Sequence, residues 1–393
     1  MAELATNLRR AALLTRRIAD SSARRMTGRL EGARISELST DAFSLEFEQA
    51  VGALSPALRE RGVLLRVPAD TAPWFDAGID VEAGEEISWF ANGRVHLSKL
   101  LDMFIEPHFQ LWARIGDGNA FRGTRDTFTF TAEESGRLQF ASYFPGEWTT
   151  PKGGFATPES AWKGVGGGMD VAVVRWQGSS VDGLGAMARS GYARAAREIE
   201  RSSGTVPVPE DWNYLWFLGP GEIYQHRRDN GRTCIDCRTH CDAGILQIDV
   251  DVALTSATML SWQWHVSELP SVFGEDILPT HDYMSIAVEY DNGIDVTYYW
   301  SAELPLGEGY WCPLPNWAER EFHIVVRSGR DGLGHWHCEE RSLFDDYRDY
   351  IGEPPKRIKR VWLIANSLFQ RRIGRCRYAE ISVGEGDDRT VVL

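Results

Sequence analysis

Apolar residues near the start of the chain recur every three or four positions, which predicts an amphipathic helix. Arginines occupy the rest of the helical wheel. A second helical pattern follows over residues 41–61, with Thr40 or Asp41 as the expected cap. Pro56 is expected to kink or split this helix. Together these segments predict a helical arm. The apolar positions of the first helix are Leu4, Leu8, Ala11, Leu14 and Ile18.

The period changes to two from about residue 63, which is typical of strands with one buried face. Ile87, Trp89 and Ala91 form one of these short alternating segments, and turns containing glycine separate them. A helical face at residues 184–199 and a run rich in Ser, Pro and Gly at 202–209 then predict a connector. Alternation resumes beyond it and predicts about eight strands, including residues 284–290, 295–300 and 360–365. That number favours a jelly roll or a related two-sheet sandwich.

These patterns predict a mainly β protein. We expect two antiparallel β-sandwich domains of the jelly-roll type, with an N-terminal helical arm and a helical connector. The predicted parts are the arm at residues 1–62, a first sandwich at 63–178, the linker at 179–209 and a second sandwich at 210–393.

The charge balance disfavours nucleic acid as a partner. The 393 residues carry a net charge of −14, which repels polyanions. Residues 1–35 are the exception, with eight arginines against Glu3, Asp20 and Glu31. This arm either packs on the acidic body of its own chain or lies on an acidic protein partner or a membrane surface.

We predict a cytoplasmic location and no membrane span. The sequence has no apolar run near the roughly 18 residues that a spanning helix needs, and the first residues lack a signal-peptide pattern. Six cysteines are few for this length and do not suggest a disulfide framework.

Two short patterns could hold a metal ion. Cys234, Cys237, His240 and Cys241 have separations at which thiolates converge on zinc or an iron–sulfur cluster if they lie on a loop. On a regular strand Cys234 and Cys237 would instead face opposite ways. His335 and His337 would share one face of a strand but need a third ligand. We therefore predict neither a metal nor another cofactor.

The second half carries tryptophan-centred motifs in a distinctive order. In order and spacing, residues 215–385 resemble a bacterial family known as domain of unknown function 3047, which implies a β-sandwich without an agreed activity. This chain has Ala365-Asn-Ser-Leu368 where the family tends to have an acidic run. The motifs include Leu260-Ser-Trp262-Gln-Trp264-His-Val266, His281-Asp282-Tyr283, Tyr298-Tyr-Trp300 and Gly334-His-Trp336-His-Cys338.

The first sandwich has a second resemblance. The stretch from Trp74 to Ile87, continuing to Leu138, is similar to the fold unit of the calcium-dependent bacterial galactophilic lectins, over residues 64–178. Those lectins coordinate calcium late in the domain with Asp, Thr and paired Asn. The corresponding stretch here, residues 164–170, has no Asn pair and offers Asp170 alone, so we do not transfer the calcium site.

Fifteen tryptophans suggest an aromatic binding face. Indole rings stack on sugar rings, while neighbouring polar groups hydrogen-bond hydroxyls. Our first hypothesis is a protein that binds a carbohydrate or another hydroxylated small molecule through an aromatic sheet face. The predicted ligand-binding residues are Trp262, Trp264, Tyr298, Trp300, Trp311 and Trp336.

Two alternatives remain open. One is a cofactor-free enzyme, a lyase, glycan-active enzyme or cyclase, in which a histidine acts as base and a tyrosine as acid. Another is a structural or assembly protein that docks through the basic arm. Nucleotide-dependent enzymes, serine hydrolases and zincins are disfavoured, because the sequence lacks their motifs. The candidate catalytic residues are His265, His281, Asp282 and Tyr283.

Overall fold

The computed structural model describes residues 2–27, 37–70, 74–229 and 231–393. The chain divides into two compact units. Unit 1 comprises Met1–Gly32 and Pro207–Leu393, and unit 2 comprises Ala33–Val206. The first predicted helix therefore belongs to unit 1 and the second to unit 2, while residues 28–36 of the predicted arm lie outside the described residues. The predicted boundaries at 62, 178 and 209 stay predictions.

Strands make up most of the regular structure. The helices are α1 (Ala2–Thr27), α2 (Thr40–Gly52), α3 (Pro107–Gln110), α4 (Ser180–Arg189), α5 (Ala193–Ser203) and α6 (Leu343–Tyr350). The strands of unit 2 are β1 (Arg59–Pro68), β2 (Phe75–Val81), β3 (Glu86–Ser98), β4 (Met103–Ile105), β5 (Leu111–Ile115), β6 (Thr127–Thr131), β7 (Gly136–Ser142) and β8 (Gly166–Trp176).

Unit 1 has a larger set of strands and one short turn of 3-10 helix that bears on the site, Leu278–Thr280. The strands are β9 (Asn213–Tyr214), β10 (Tyr224–Asp229), β11 (Arg232–His240), β12 (Ala243–Ala253), β13 (Met259–Glu268), β14 (Tyr283–Tyr290), β15 (Asp295–Ser301), β16 (Gly309–Trp311), β17 (Glu321–Ser328), β18 (Trp336–Ser342), β19 (Arg357–Asn366), β20 (Ile373–Glu385) and β21 (Asp388–Val391).

Unit 2 is built on two sheets. One has the order β1-β8-β3-β4 with β6 also paired to β3, and the other has the order β2-β7-β5. Alternate residues of both sheets, among them Trp89, Leu138 and Val171, form a common core. A second cluster, containing Phe43 and Trp176, joins helices α2, α4 and α5 to the other face of the larger sheet.

Unit 1 contains a sheet of order β10-β11-β20-β13-β18, with β21 on β20, and a seven-stranded sheet of order β16-β17-β15-β14-β19-β12-β9. Residues from both sheets form its main core, including Trp262, Ile286 and Leu363. The seven-stranded sheet also carries a second cluster on its outer face, around Tyr283, Trp317 and Trp362. Loops cover that outer face, and this arrangement positions the site described below.

The predicted fold class is confirmed. Strands hold about twice as many of the described residues as helices do, and the described strand pairs are antiparallel except for β15 and β17. Within the described residues, none of the helices combines the length and the apolarity needed to cross a membrane.

The second helix is shorter than predicted. Helix α2 ends at Gly52, before Pro56, and residues 59–61 belong to strand β1. Ser39, rather than the expected Thr40 or Asp41, caps the helix by accepting a hydrogen bond from the Ala42 amide. The proline lacks an amide hydrogen and cannot continue a helix, so the pattern beyond it is broken.

The basic helix α1 packs on its own unit. Arg9 forms an ion pair with Asp276, and Arg16 contacts Glu303 at 2.5 Å. Arg17 is fully buried and donates hydrogen bonds to the carbonyls of Phe369 at 2.7 Å and Pro279 at 3.4 Å. Helix α1 thus packs on acidic residues and carbonyls of its own unit, and binding of an acidic protein partner stays a prediction.

Candidate functional site

Four of the six aromatic residues predicted to bind ligand are core residues. Trp262, Trp264, Tyr298 and Trp300 are each at most 1% exposed and lie between the two sheets of unit 1. Their rings pack edge to face or tilted against one another, with centroids 5.7 Å apart for Trp262 and Trp264. The predicted outward-facing aromatic surface is therefore wrong for these four, because alternation along strands β13 and β15 turns them inward.

The other two aromatic residues are more exposed. Trp311, at 39% exposure, ends strand β16 and packs edge-on against Phe322. Trp336 begins strand β18, where its half-buried ring lies 5.6 Å from the His265 ring and under the Arg232 guanidinium at 4.6 Å. The two tryptophans are on different sheets, so they do not form one binding face.

Of the four predicted catalytic residues, the structure brings together the rings of His281 and Tyr283, with centroids 4.9 Å apart, but not His265 or the Asp282 carboxylate. His265 is on strand β13 of the six-stranded sheet, whereas His281 and Tyr283 are at the start of β14 in the other sheet. Asp282 accepts hydrogen bonds from the amides of Phe369 and Arg371 at 2.9 and 3.2 Å. It therefore anchors a loop, and burial raises its pKa to about 7 despite these bonds.

The structure does not assemble either of the two metal-binding patterns found in the sequence, within the residues that it describes. Cys237 faces the core beside Cys376 on strand β20, while the Cys234 thiol lies near the Arg227 carbonyl at 3.5 Å. In the described residues, these thiols do not join any group of three or more potential ligand atoms. His337 contacts the Gly332 carbonyl at 2.8 Å, and neither His335 nor His337 belongs to such a group.

An aromatic hollow lies on the outer face of the seven-stranded sheet. Its volume is about 240 Å³. Trp216 is 45% exposed at its edge, and Phe217, Trp317 and Trp362 follow one another with ring centroids 5.9 and 6.3 Å apart. The residues that define the aromatic hollow are Leu215, Trp216, Phe217, Gln247, Glu289, Gly293, Asp295, Trp317, Arg320, Arg360 and Trp362.

Two residues that line the hollow carry buried polar atoms that no described residue satisfies. The indole nitrogen of Trp362 and the amide oxygen of Gln247 are both buried without a hydrogen-bond partner in the described part of the chain. These residues are register partners on strands β19 and β12. Because buried polar groups are normally hydrogen-bonded, a donor here and an acceptor beside it are suited to a hydroxyl group.

Charged side chains border the same hollow. Arg360 donates to Glu289 at 2.7 Å and to Asp249 at 2.8 Å, and the Arg320 guanidinium lies 4.1 Å from the Trp317 ring centroid. The hollow therefore combines flat rings with fixed hydrogen-bonding groups, which is the combination that sugar recognition requires.

A buried cluster lies beside the hollow on the same sheet face. We define it as His281, Cys312, Glu321 and His323, whose ligand-type atoms all lie within 4.8 Å of one another. Glu321 and His323 are two residues apart on strand β17 and so share a face. Asp295, which lines the hollow, is the register partner of Glu321 on β15. The four residues of the cluster could hold a metal ion.

Burial determines the protonation of this region. It lowers the pKa of His281 to about 3, with a further contribution from His323. Burial also raises the pKa of Asp295 well above its ordinary value, and the nearby Glu321 carboxylate reinforces the shift. Although burial opposes it, the adjacent imidazoles hold the pKa of Glu321 below its usual range. The two shifts run in opposite directions, so Glu321 is the more acidic member of this pair.

A larger hollow, of about 540 Å³, lies on the outer face of the six-stranded sheet. Its carboxylates already have partners, since Glu340 accepts hydrogen bonds from Ser261 at 3.0 Å and Arg389 at 2.9 Å. Trp262 reaches it only with an edge, being 1% exposed. This hollow therefore lacks an aromatic stacking face.

The lectin-like stretch of unit 2 lines a polar hollow of about 350 Å³. Asp170 there contacts the Arg66 guanidinium at 2.6 Å and accepts a hydrogen bond from the Thr40 hydroxyl at 2.9 Å. The carboxylate thus serves an ion pair and a hydrogen bond within the unit.

The C-terminal half matches a family model. Residues 210–382 match the profile of the family described as protein of unknown function (DUF3047). This match confirms the resemblance predicted from the tryptophan-centred motifs. The DUF3047 region contains both the aromatic hollow and the buried cluster. Among curated proteins, none is detectably similar in sequence to this chain.

Solved structures add distant neighbours. The N-terminal region has a lectin-like neighbour, the EclA N-terminal domain, a PllA-like lectin, which is 19% identical to this chain. The match covers 31% of this chain and 99% of the lectin domain, with a TM-score of 0.23. The xyloglucanase domain of NopAA from Sinorhizobium fredii, in complex with cellobiose, is 7% identical to this chain. The match covers 44% of this chain and 96% of that domain, with a TM-score of 0.27. TmCBM61, in complex with β-1,4-galactotriose, is 11% identical to this chain. The match covers 47% of this chain and 94% of TmCBM61, with a TM-score of 0.25.

Sequence reasoning missed most of the residues in both sites. For Glu321 and His323 a usable signal existed, because Phe322 and Ile324 alternate as core residues and leave these two on the opposite face. Trp362 likewise lies on the face of its strand opposite to that of its neighbour Leu363, which is a core residue. Cys312 and Trp216 lie at the end of a short strand and in a loop, where alternation provides no signal.

Proposed function

We propose that this protein binds a carbohydrate in the aromatic hollow of unit 1. The observation that carries the proposal is the pair of unsatisfied polar atoms, Trp362 Nε1 and Gln247 Oε1, on two residues that line a hollow bordered by aromatic rings. A sugar supplies apolar C–H faces for the rings and hydroxyls for the polar atoms. The hypothesis from the sequence is kept, but on different residues.

The dimensions favour a small ligand unit. A volume of about 240 Å³ is below the roughly 300–1,000 Å³ of pockets for drug-sized ligands. The hollow therefore contacts about one sugar ring directly. Trp216, the most exposed of its rings, lies where a second ring of an oligosaccharide would extend.

The enzyme alternative has less support. His281 and Asp282 are 0% exposed and Tyr283 is 3% exposed, so a substrate arriving from solvent contacts none of them directly.

The cytoplasmic location stays a prediction, and its test is fractionation of cells that express the tagged protein.

Trp216→Ala is expected to weaken glycan binding at least tenfold, about 1.4 kcal/mol, because it removes the exposed stacking ring. Trp362→Phe should also weaken binding, since it keeps a ring and removes the indole N–H. A glycan array of monosaccharides and oligosaccharides identifies the probe, and titration calorimetry with that glycan measures the affinity.

The matched control is Trp311→Ala, which removes an exposed tryptophan on the same sheet but outside the hollow. Its glycan affinity should equal that of the unaltered protein. The proposal fails if the array shows no binding, or if Trp216→Ala and Trp311→Ala bind the identified glycan equally well.

A further inference from the structure

We propose that His281, Cys312, Glu321 and His323 bind a zinc ion. The proposal rests on this cluster alone and does not depend on glycan binding. Zinc accepts imidazole, thiolate and carboxylate ligands in tetrahedral sites. The cluster supplies two imidazoles, one thiolate and one carboxylate. Softer or harder ions match it less well, because thiolate disfavours magnesium and calcium while carboxylate disfavours copper(I).

The spacing of the ligand atoms fits a four-coordinate ion. Cys312 Sγ is 3.3 Å from His281 Nε2, and His323 Nε2 is 3.3 Å from Glu321 Oε1. Bond lengths of about 2.0–2.3 Å at tetrahedral angles place such atoms roughly 3.3–3.7 Å apart. All four atoms lie within 4.8 Å, so side-chain adjustments of about an ångström complete the site.

Neighbouring groups orient two of the ligands. The Glu275 carbonyl can only accept a hydrogen bond, so His281 Nδ1, at 2.7 Å, donates to it and leaves the lone pair on Nε2 facing the cluster. Tyr283 donates its hydroxyl to Glu321 Oε1 at 2.8 Å. Outer partners of this kind are typical of metal-binding histidines and carboxylates.

His323 provides the most direct indication. Its ring is 0% exposed, yet neither of its nitrogens has a hydrogen-bond partner among the described residues. The ring is held in place by stacking on Tyr310, with centroids 5.1 Å apart and planes 6° apart. Its Nε2 lies 3.3 Å from Glu321 Oε1 without forming a hydrogen bond, and a buried imidazole without hydrogen bonds is costly. A bond from Nε2 to a metal removes that cost.

The position of the cluster indicates a structural role. His281 follows the 3-10 turn Leu278–Thr280, Cys312 follows β16, and Glu321 and His323 belong to β17. Zinc would tie these three segments together on the outer face of the sheet. Because all four ligands come from the protein and all are buried, the ion would have no open position for a substrate.

The test begins with the intact protein, purified without a metal-affinity tag. We expect about one zinc per chain by plasma mass spectrometry. After exchange of zinc for Co²⁺, we expect thiolate-to-cobalt charge-transfer absorption and the visible bands of a tetrahedral site. Absence of bound zinc together with absence of these cobalt bands overturns the proposal.

Variants identify the ligands. Cys312→Ala should reduce bound zinc to below about 0.1 per chain and abolish the charge-transfer band. Cys338→Ser, which alters an exposed thiol outside the cluster, and Cys234→Ser should keep both. If Cys312→Ala does not fold, X-ray absorption at the zinc edge of the unaltered protein counts the sulfur ligands of the ion instead. One sulfur with three nitrogen or oxygen ligands supports the proposal, and two or more sulfurs overturn it.

Discussion

Trp264 illustrates how burial, rather than residue type, determines what an aromatic side chain does. Its ring is 0% exposed, and its indole nitrogen donates to Glu339 Oε1 at 3.1 Å. Trp300 packs beside it at 5.9 Å, and its own indole nitrogen donates to the Gly329 carbonyl at 2.8 Å. Both rings stabilise the core of unit 1 and have no polar group left for a ligand.

Trp264→Ala is expected to lower the free energy of unfolding by about 3–5 kcal/mol, because it leaves a large cavity in a packed core. Trp311→Ala, at a position 39% exposed, should change it by less than about 1 kcal/mol. Thermal unfolding followed by circular dichroism compares the two variants. Equal midpoints for both would contradict the burial of Trp264.

At the level of elements, helix α1 holds the loops that lead to the buried cluster. Arg17 donates to the carbonyl of Pro279, within the turn before His281, and to the carbonyl of Phe369. The Phe369 amide in turn donates to Asp282. Asp20 on the same helix face pairs with Arg372 at 2.9 Å. The basic helix therefore supports the segment that carries His281.

Arg17→Met should loosen this helix. Two buried carbonyls lose a charged donor, a loss of about 1–3 kcal/mol. We expect faster amide exchange over residues 8–26, measured by hydrogen–deuterium exchange and mass spectrometry. Arg10→Met provides the control, since Arg10 is exposed on the same helix, and it should exchange like the unaltered protein. Unchanged exchange in Arg17→Met would show that this anchor does not hold the helix.

At the level of the whole molecule, the two units differ in continuity. Unit 2 is one stretch, Ala33–Val206, and its core residues all come from that stretch. Unit 1 combines Met1–Gly32 with Pro207–Leu393, so residues far apart in the sequence complete it. Its stability therefore depends on a helix encoded at the opposite end of the chain.

We expect a fragment of residues 33–206 to fold independently and to unfold cooperatively on heating. A fragment of residues 207–393 should be less stable, because it lacks the arginines of α1. Adding a synthetic peptide of residues 1–32 should raise its unfolding temperature, measured by differential scanning fluorimetry. The same peptide should leave fragment 33–206 unchanged, and a shift in that fragment instead would contradict the division.

The strands of unit 1 were largely predictable. Alternation placed strands near residues 284–290, 295–300 and 360–365, and the structure has β14, β15 and β19 there. The site was less predictable, because it consists of residues from strands and loops that meet only in the folded chain. His281 was identified as a candidate, but beside Asp282 rather than beside Cys312 and His323.

The sequence by itself determined the mainly β class, the positions of many strands and the resemblance of the second half to DUF3047. Period-two alternation identifies the two faces of a strand, because successive side chains point opposite ways. It does not identify which face a second sheet covers. Tertiary structure alone buried Trp262 and Trp264, left Trp362 beside a hollow and brought Cys312 to His281, because those outcomes depend on contacts between distant segments.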